Sequence, residues 1–371
     1  MKKIAILGAS YLQKPLVEKA IQLGLETYCF AWDSDDAICK NIAHHFYPIS
    51  VLDKELILEK CKDIKVDGIT TIATDICVPT ICYVAEKMGL ISNSFRSGII
   101  STNKAKMRSA FLTNDVNSPK SIALKKFNFE HLKDLRFPMI VKPTDRSGSR
   151  GVVKVSDINE LKSGINQALE QSFEKQVVIE EFIEGIEVSV ETISWRGEHY
   201  ILAITDKITT GNPYFVELEH HQPSQLTEYL KEKIRIETLK ALDALEITYG
   251  ASHAEFKILD NGKVVTIEVG GRMGGDFIGS HLVKLSTGYD FLKGVIKVAL
   301  NEFEKPQINN ISFSGVYFLS KETEYLLPYF NRKNIFDAEK NLQNNKLNLI
   351  RNSNDRSGYI IYQSQHKLNL I

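Results

Sequence analysis

The sequence predicts a mixed α/β and α+β protein: a doubly wound parallel α/β domain at the N-terminus, a larger α+β body, and a small C-terminal subdomain. Three observations carry that prediction. Residues 1 to about 95 alternate short apolar strands with helical stretches, the rhythm of a parallel sheet covered by helices on both faces. Residues 251–271, ASHAEFKILDNGKVVTIEVGG, alternate apolar and polar side chains on either side of Asn261-Gly262, as an antiparallel hairpin does. A chain of 371 residues is also too long for one compact core, which suggests two to three domains.

The first block places strands at IAIL, ETYCF, HHFYPI and GITTIA, with helices over about 14–23, 35–43, 54–61 and 78–88. Gly8-Ala9-Ser10 follows the first strand and precedes a helix, where backbone amides can hold an anion. Ser10 and Gln13 occupy the second and third glycine positions of the dinucleotide fingerprint, so an NAD site is disfavoured. Thr74-Asp75 lies at the other sheet edge, where Asp75 reads as a turn residue and helix cap. Residues 97–135 read as helix, then loop.

FPMIVKP (137–143) reads as a buried strand carrying one cation, Lys142, which must reach water or an anion. Residues 146–151, RSGSRG, then offer amide, hydroxyl and guanidinium donors suited to phosphate oxygens, without the usual P-loop pattern. VVIEEFIEGIEVSV (177–190) reads as a strand running into a linker. A hairpin across Arg196-Gly197 and a long helix over about 224–245 follow.

A two-residue turn at Asn261-Gly262 sets a register in the next hairpin: Asp260 faces Lys263, Phe256 faces Ile267, Glu255 faces Glu268 and His253 faces Gly270. Two carboxylates directly opposed on a sheet repel each other. A hard divalent cation between them would relieve the repulsion, and so would neutralisation by Lys257 and Arg272 or by solvent. Arg272 lies in a loop of four glycines (270, 271, 274, 275), on a backbone permissive enough to bring a guanidinium to a phosphoryl group. A helix over 288–300, a strand ISFSGVYFL and a mixed-charge tail with little evident chemistry complete the chain.

Composition narrows the function. Lys+Arg and Asp+Glu both number 46, so no net field favours nucleic acid or an anionic membrane. No apolar run approaches the ~18–20 residues of a membrane helix. The apolar run after the initial MKK stops at Gly8, which favours a buried first strand over a signal peptide. Five scattered cysteines with no C-x-x-C spacing suit a reducing cytoplasm and disfavour structural zinc.

In this order, NKAKMR, FPMIVKPTDRSGSRGVV, VVIEEFIEGIEVSVE, HAEFKI and IEVGGRMGGDFI resemble the ATP-grasp superfamily, especially its carboxylate–amine ligases, over about residues 98–300. The resemblance implies an ATP-grasp fold at 97–302, two α+β subdomains gripping ATP with a lid at about 138–183. It would lie between an N-terminal domain (1–96) and a small C-terminal subdomain (303–371). By position, Lys104 and Lys142 would contact phosphate, and Ser147, Gly148, Ser149, Gly151 and Val152 would form the flap over it. Glu180, Glu181, Phe182 and Ile183 would form the adenine linker, and Glu187 would bind ribose. Glu255 and Glu268 would be magnesium ligands, with Arg272 and Lys142 as catalytic cations.

The implied cofactors are ATP and one or two Mg2+ ions, with Mn2+ as a substitute. The implied reaction activates a carboxylate as an acyl-phosphate and joins it to an amine, releasing ADP and phosphate. The partners are a small-molecule carboxylate and an amine or amino acid, in a cytoplasmic homodimer that engages neither nucleic acid nor membrane. Glu217, His221, His253, Gly274 and Gly275 are the substrate contacts this reading selects. One position departs: many relatives carry Asn where this chain has Gly270, with His253 opposite to fill the space. Two other readings accompany this one. The first is a bicarbonate-activating enzyme resembling biotin carboxylase or carbamoyl-phosphate synthetase. The second is a catalytically weak ATP-binding regulatory protein, suggested by Gly270.

Overall fold

The computed structural model describes residues 1–126, 132, 134–146, 148, 150–309, 311–344 and 346–370. The four N-terminal strands fall where expected: β1 (Lys3–Leu7), β2 (Glu26–Phe30), β3 (His45–Tyr47) and β4 (Gly68–Thr70). They form a parallel sheet in the order β3-β2-β1-β4. Alternate residues of β1 explain why helices cover both faces. Ile4 and Ile6 pack with Leu16, Val17 and Ala20 of α1 (Lys14–Gln22). Ala5 and Leu7 pack with Ile57 of α2 (Lys54–Ile64) and with Ile81 and Val84 of α3 (Val78–Met88). The helix expected over 35–43 is a single 3-10 turn, Ile38–Asn41.

Two short helices, α4 (Phe95–Ile100) and α5 (Lys104–Thr113), lead to an antiparallel four-stranded sheet. Its strands are β5 (Ser121–Leu124), β6 (Met139–Pro143), β7 (Val153–Val155) and β8 (Val177–Glu181), ordered β5-β8-β6-β7. The helix α6 (Ile158–Gln171) packs on it through Leu161, Ile165 and Ala168. The strand β5 lies in the stretch read from sequence as helix and loop. Its four residues are too short to show a period.

An eight-stranded sheet forms the body, in the order β13-β12-β9-β10-β11-β14-β16-β15. The strands β9 (Ile186–Trp195) and β10 (Glu198–Thr209) make the expected hairpin, with positive φ at Arg196 and Gly197. They are followed by β11 (Glu217–Gln222), α7 (Glu228–Ala244), β12 (Tyr249–Ile258) and β13 (Val264–Gly270). Then come α8 (Val283–Thr287), α9 (Phe291–Ala299), β14 (Phe313–Leu319), α10 (Leu327–Phe330), β15 (Asp337–Leu342) and β16 (Gly358–Ser364). The last three strands therefore extend the same sheet as β9–β13. Val295 and Ile296 of α9 share one apolar cluster with Ile4, Ile6 and α1, which docks the N-terminal domain on the body.

Candidate active site

The β12–β13 hairpin brings Glu255 directly opposite Glu268, and His253 opposite Gly270, as the sequence predicts. The route differs. The turn is one residue longer, with Leu259 N donating to Lys263 O and Gly262 at φ +74°. Phe256 therefore faces Thr266, not Ile267. An irregularity on β13 between Thr266 and Glu268 inserts Ile267 and restores the register above it. Two one-residue departures cancel, and the two glutamates pair across the strands.

Cations of the chain neutralise the pair. Lys207 Nζ lies 2.6 Å from Glu255 Oε1, 3.0 Å from Glu187 Oε1 and 3.7 Å from Glu217 Oε1, with its side chain 3 % exposed. Burial opposes the ammonium, but Glu255 and Glu187 outweigh it and raise the Lys207 pKa well above its ordinary value. The same exchange, after burial, holds Glu255 well below the carboxylate range. Lys257, one expected neutraliser, pairs instead with Glu187 at 2.8 Å. On the other strand, Lys104 Nζ lies 2.8 Å from Glu268 Oε1 and donates to Arg146 O.

His253 does not fill the space at Gly270. Its Nδ1 lies 2.5 Å from Glu191 Oε1 and its Nε2 3.3 Å from Glu255 Oε1. Burial alone would favour the neutral ring, yet Glu191 overrides it and lifts the pKa to about 9. The other oxygen of Glu191 accepts from Gly274 N at 3.0 Å. The four glycines around Arg272 have no positive φ. A Cβ on Gly274 would stand 2.3 Å from Glu191 Oε1, and one on Gly270 2.5 Å from Asp75 Oδ1. Gly275 faces Ala73 and Gly271 faces Ser101 at ordinary contact distance. Neighbours therefore press on Gly270 and Gly274, whereas Gly271 and Gly275 have room for a methyl group.

Lys142, the lone cation of β6, meets an anion of β8: its Nζ lies 2.8 Å from Glu180 Oε2. Glu180 is 3 % exposed, with Arg108 Nε 2.7 Å from its other oxygen. Burial raises the Glu180 pKa, and Arg108 and Lys142 together bring it below its usual value. Glu181 N donates to Lys120 O and Phe182 N to Pro138 O, so those two amides are engaged. The Phe182 ring lies 3.8 Å from Lys154 Nζ. Gly148 and Gly151 have positive φ, and Val152 adjoins β7. Ser147 and Ser149 lie outside the described residues. Gly8 is pressed by Gln13, whose Oε1 accepts from Ser10 N and Oγ, so the loop after β1 is closed by its own side chain.

A second polar cluster adjoins the first. Arg356, just ahead of β16, donates from Nη1 to Asp276 Oδ2 at 2.9 Å and from Nη2 to Glu217 O and Oε2. His220 lies 4.0 Å from Asp276 Oδ2, beyond hydrogen-bond reach. Neither of its buried ring nitrogens has a hydrogen-bond partner among the described residues. Burial lowers its pKa and keeps the imidazole neutral. His221 points elsewhere, to Tyr362 Oη and Glu219, each at 2.9 Å. Strict alternation would put Glu217 and His221 on one face, but the register shifts between Ile208 and Thr209, and His220 joins Glu217 instead.

Lys207, Glu191, Arg108, Asp276 and Arg356 escaped the sequence reading. Lys207 left one signal: a lysine inside the apolar alternation of β10, directly opposite Glu187.

Residues 135–280 match the family model described as an ATP-grasp domain. The chain is 27% identical to alanine–anticapsin ligase of Bacillus subtilis (strain 168) over 303 residues, 72% of this chain and 64% of that enzyme. The match thus spans under two thirds of that relative. Among solved structures, L-amino acid ligase from Bacillus licheniformis superposes with a TM-score of 0.82 at 24% identity, covering 99% of this chain and 94% of that one. N5-carboxyaminoimidazole synthetase from Staphylococcus aureus, complexed with ADP, gives 0.80 at 17% identity, covering 98% and 94%. The fold is that of these ATP-grasp structures.

Proposed function

From a chain that carries an ATP-grasp domain, we propose a Mg-ATP-dependent carboxylate–amine ligase acting on an amino acid and releasing ADP and phosphate. The observation that carries the proposal is the register: two carboxylates face each other across β12 and β13, ringed by Lys104, Lys207 and the His253 imidazolium. Hard oxygen donors suit Mg2+, which commonly takes one or two protein carboxylates and completes its shell with phosphate and water. Among the described residues no ready-made cage of three or more acidic, imidazole or thiol groups exists, in keeping with a metal that arrives with nucleotide. Glu255 and Glu268 would hold it. When bound, Mg2+ neutralises phosphate charge and stabilises the transferring phosphoryl group.

The chain's own groups divide the remaining work. Lys104 and Lys142, now paired with Glu268 and Glu180, would take phosphate oxygens as partners when nucleotide binds. The Glu181 carbonyl and Ile183 N–H face the purine, and Glu187 takes the ribose. A substrate carboxylate oxygen forms a bond to the γ-phosphorus as the bond to ADP breaks. The amine then adds to the acyl carbon and phosphate leaves. Arg272 supplies positive charge to the oxyanion that forms. His220, neutral and with both ring nitrogens unpartnered among the described residues, takes the proton that the amine loses.

Screening amino acids in pairs with ATP and Mg2+ tests this reading. ADP and phosphate should form only with an acceptable pair, and hydroxylamine should trap the acyl group as a hydroxamate. Release of AMP, or ADP formation that needs bicarbonate and no amine, would contradict it.

A further inference from the structure

Asp75 follows β4 at the edge of the N-terminal sheet, far from Arg272 in sequence. Arg272 nevertheless donates to it through both arms of the fork, Nε to Oδ1 and Nη2 to Oδ2, each at 2.8 Å. Such planar double bonding fixes the orientation of a guanidinium as well as its place. The loop around Asp75 is itself anchored, since Ala73 N donates to Met273 O at 3.0 Å and Gln13 Nε2 to Ile72 O at 2.8 Å. Asp75 is therefore more than a helix cap.

Its carboxylate occupies the space that Gly270 leaves open. A Cβ on Gly270 would stand 2.5 Å from Asp75 Oδ1 and 3.3 Å from Arg272 Nε. Separate side chains do not approach so closely. Within one side chain, ordinary bond lengths place a carboxyl or amide oxygen about 2.4 Å from its own Cβ. Asp75 Oδ1 thus stands at the distance where a side-chain oxygen of residue 270 would stand. We propose that Asp75 is the positioning residue for Arg272, and that position 270 is glycine so that this carboxylate can enter from the N-terminal domain. The role given to Arg272 rests on the ligase reading; the coupling of Asp75, Gly270 and Arg272 does not.

The test uses the full chain with Asp75→Asn, Asp75→Ala, Gly270→Ala and the double variant Asp75→Ala/Gly270→Ala. The Nε–H resonance of Arg272, assigned by its loss in Arg272→Lys, should be protected from exchange in the wild type. Protection should vanish in Asp75→Ala and Gly270→Ala; both should unfold at a lower temperature, because Arg272 loses its partner, yet remain folded and bind Mg·ADP at the assay temperature. Each of these two variants should lower kcat roughly a hundredfold with little change in the KM for ATP, as expected for a misplaced catalytic group. Asp75→Asn, which keeps the shape but loses the charge, should fall between. The double variant should be no worse than Asp75→Ala, because Gly270→Ala acts only by displacing that carboxylate. Protection retained in Gly270→Ala, or losses that multiply in the double variant, would overturn the proposal. A wild type that forms no ADP with any substrate pair would sink the ligase reading, while the Nε–H signal still decides the coupling.

Discussion

Lys207 neutralises three carboxylates from a position where the chain gives it no water. Removing one partner of a buried ionic cluster leaves the others uncompensated, at a cost of roughly 3–5 kcal/mol. Lys207→Ala should therefore unfold at markedly lower temperature, and Mg·ADP should recover part of the loss by bringing new positive charge to Glu255; differential scanning calorimetry with and without Mg·ADP reads both. Asp276 gives the pH dependence. Burial works against its charge, but Arg356 outweighs it and holds the folded-state pKa far below the ordinary value. A depressed carboxylate contributes stability that is present above its unfolded pKa, about 3.9, and is lost as pH falls toward the folded value. Asp276→Asn should be less stable than wild type at pH 7 and lose less stability between pH 4 and 2, measured by urea unfolding. At this scale the sequence was least informative. Lys142 announced itself as a cation in an apolar strand, whereas Asp75, Glu191 and Arg356 gain meaning only from partners 197, 62 and 80 positions away.

The hairpin shows what an element adds to its residues. Alternation and Asn261-Gly262 sufficed to identify it, and the pairing of Glu255 with Glu268 followed. The turn length did not follow, because Asn-Gly serves a two-residue loop and also a three-residue loop ending on a left-handed glycine. The inserted Ile267 corrects the difference. Deleting Ile267 should only remove the bulge and leave Glu268 opposite Glu255, whereas inserting one alanine after Ile267 should shift Glu268 to the wrong face, abolish Mg-dependent nucleotide binding by calorimetry and leave most of the circular dichroism spectrum intact. Binding that survives the insertion would mean the opposed pair is not the metal site. The second irregularity, between Ile208 and Thr209, had the opposite consequence. It exchanged His221 for His220 at the Glu217–Asp276 cluster, and nothing in ELEHHQ marks a bulge.

For the whole molecule, the sequence reading set the chain after residue 302 apart, where β14, β15 and β16 in fact extend the large sheet, but the parallel N-terminal sheet and the hairpins β9–β10 and β12–β13 were legible from their rhythm. The cooperation between them was not. The loop after β4 meets the loop after β13 through Asp75–Arg272 and Ala73–Met273, while Arg356 closes the far side from the strand pair β14–β16. Residues from the beginning, middle and end of the chain thus surround one site, and only folding brings them together.

The central chemical consequence of the proposed function is transfer of phosphate to a carboxylate oxygen. The direct measurement is isotopic: supply an accepted amino acid carrying 18O in its carboxylate, run the reaction with Mg-ATP, and weigh the released phosphate by mass spectrometry. One 18O atom should appear in each phosphate formed by the wild type, and Glu268→Gln should release none above background. Phosphate free of 18O, with the peptide or amide product formed, would contradict the account.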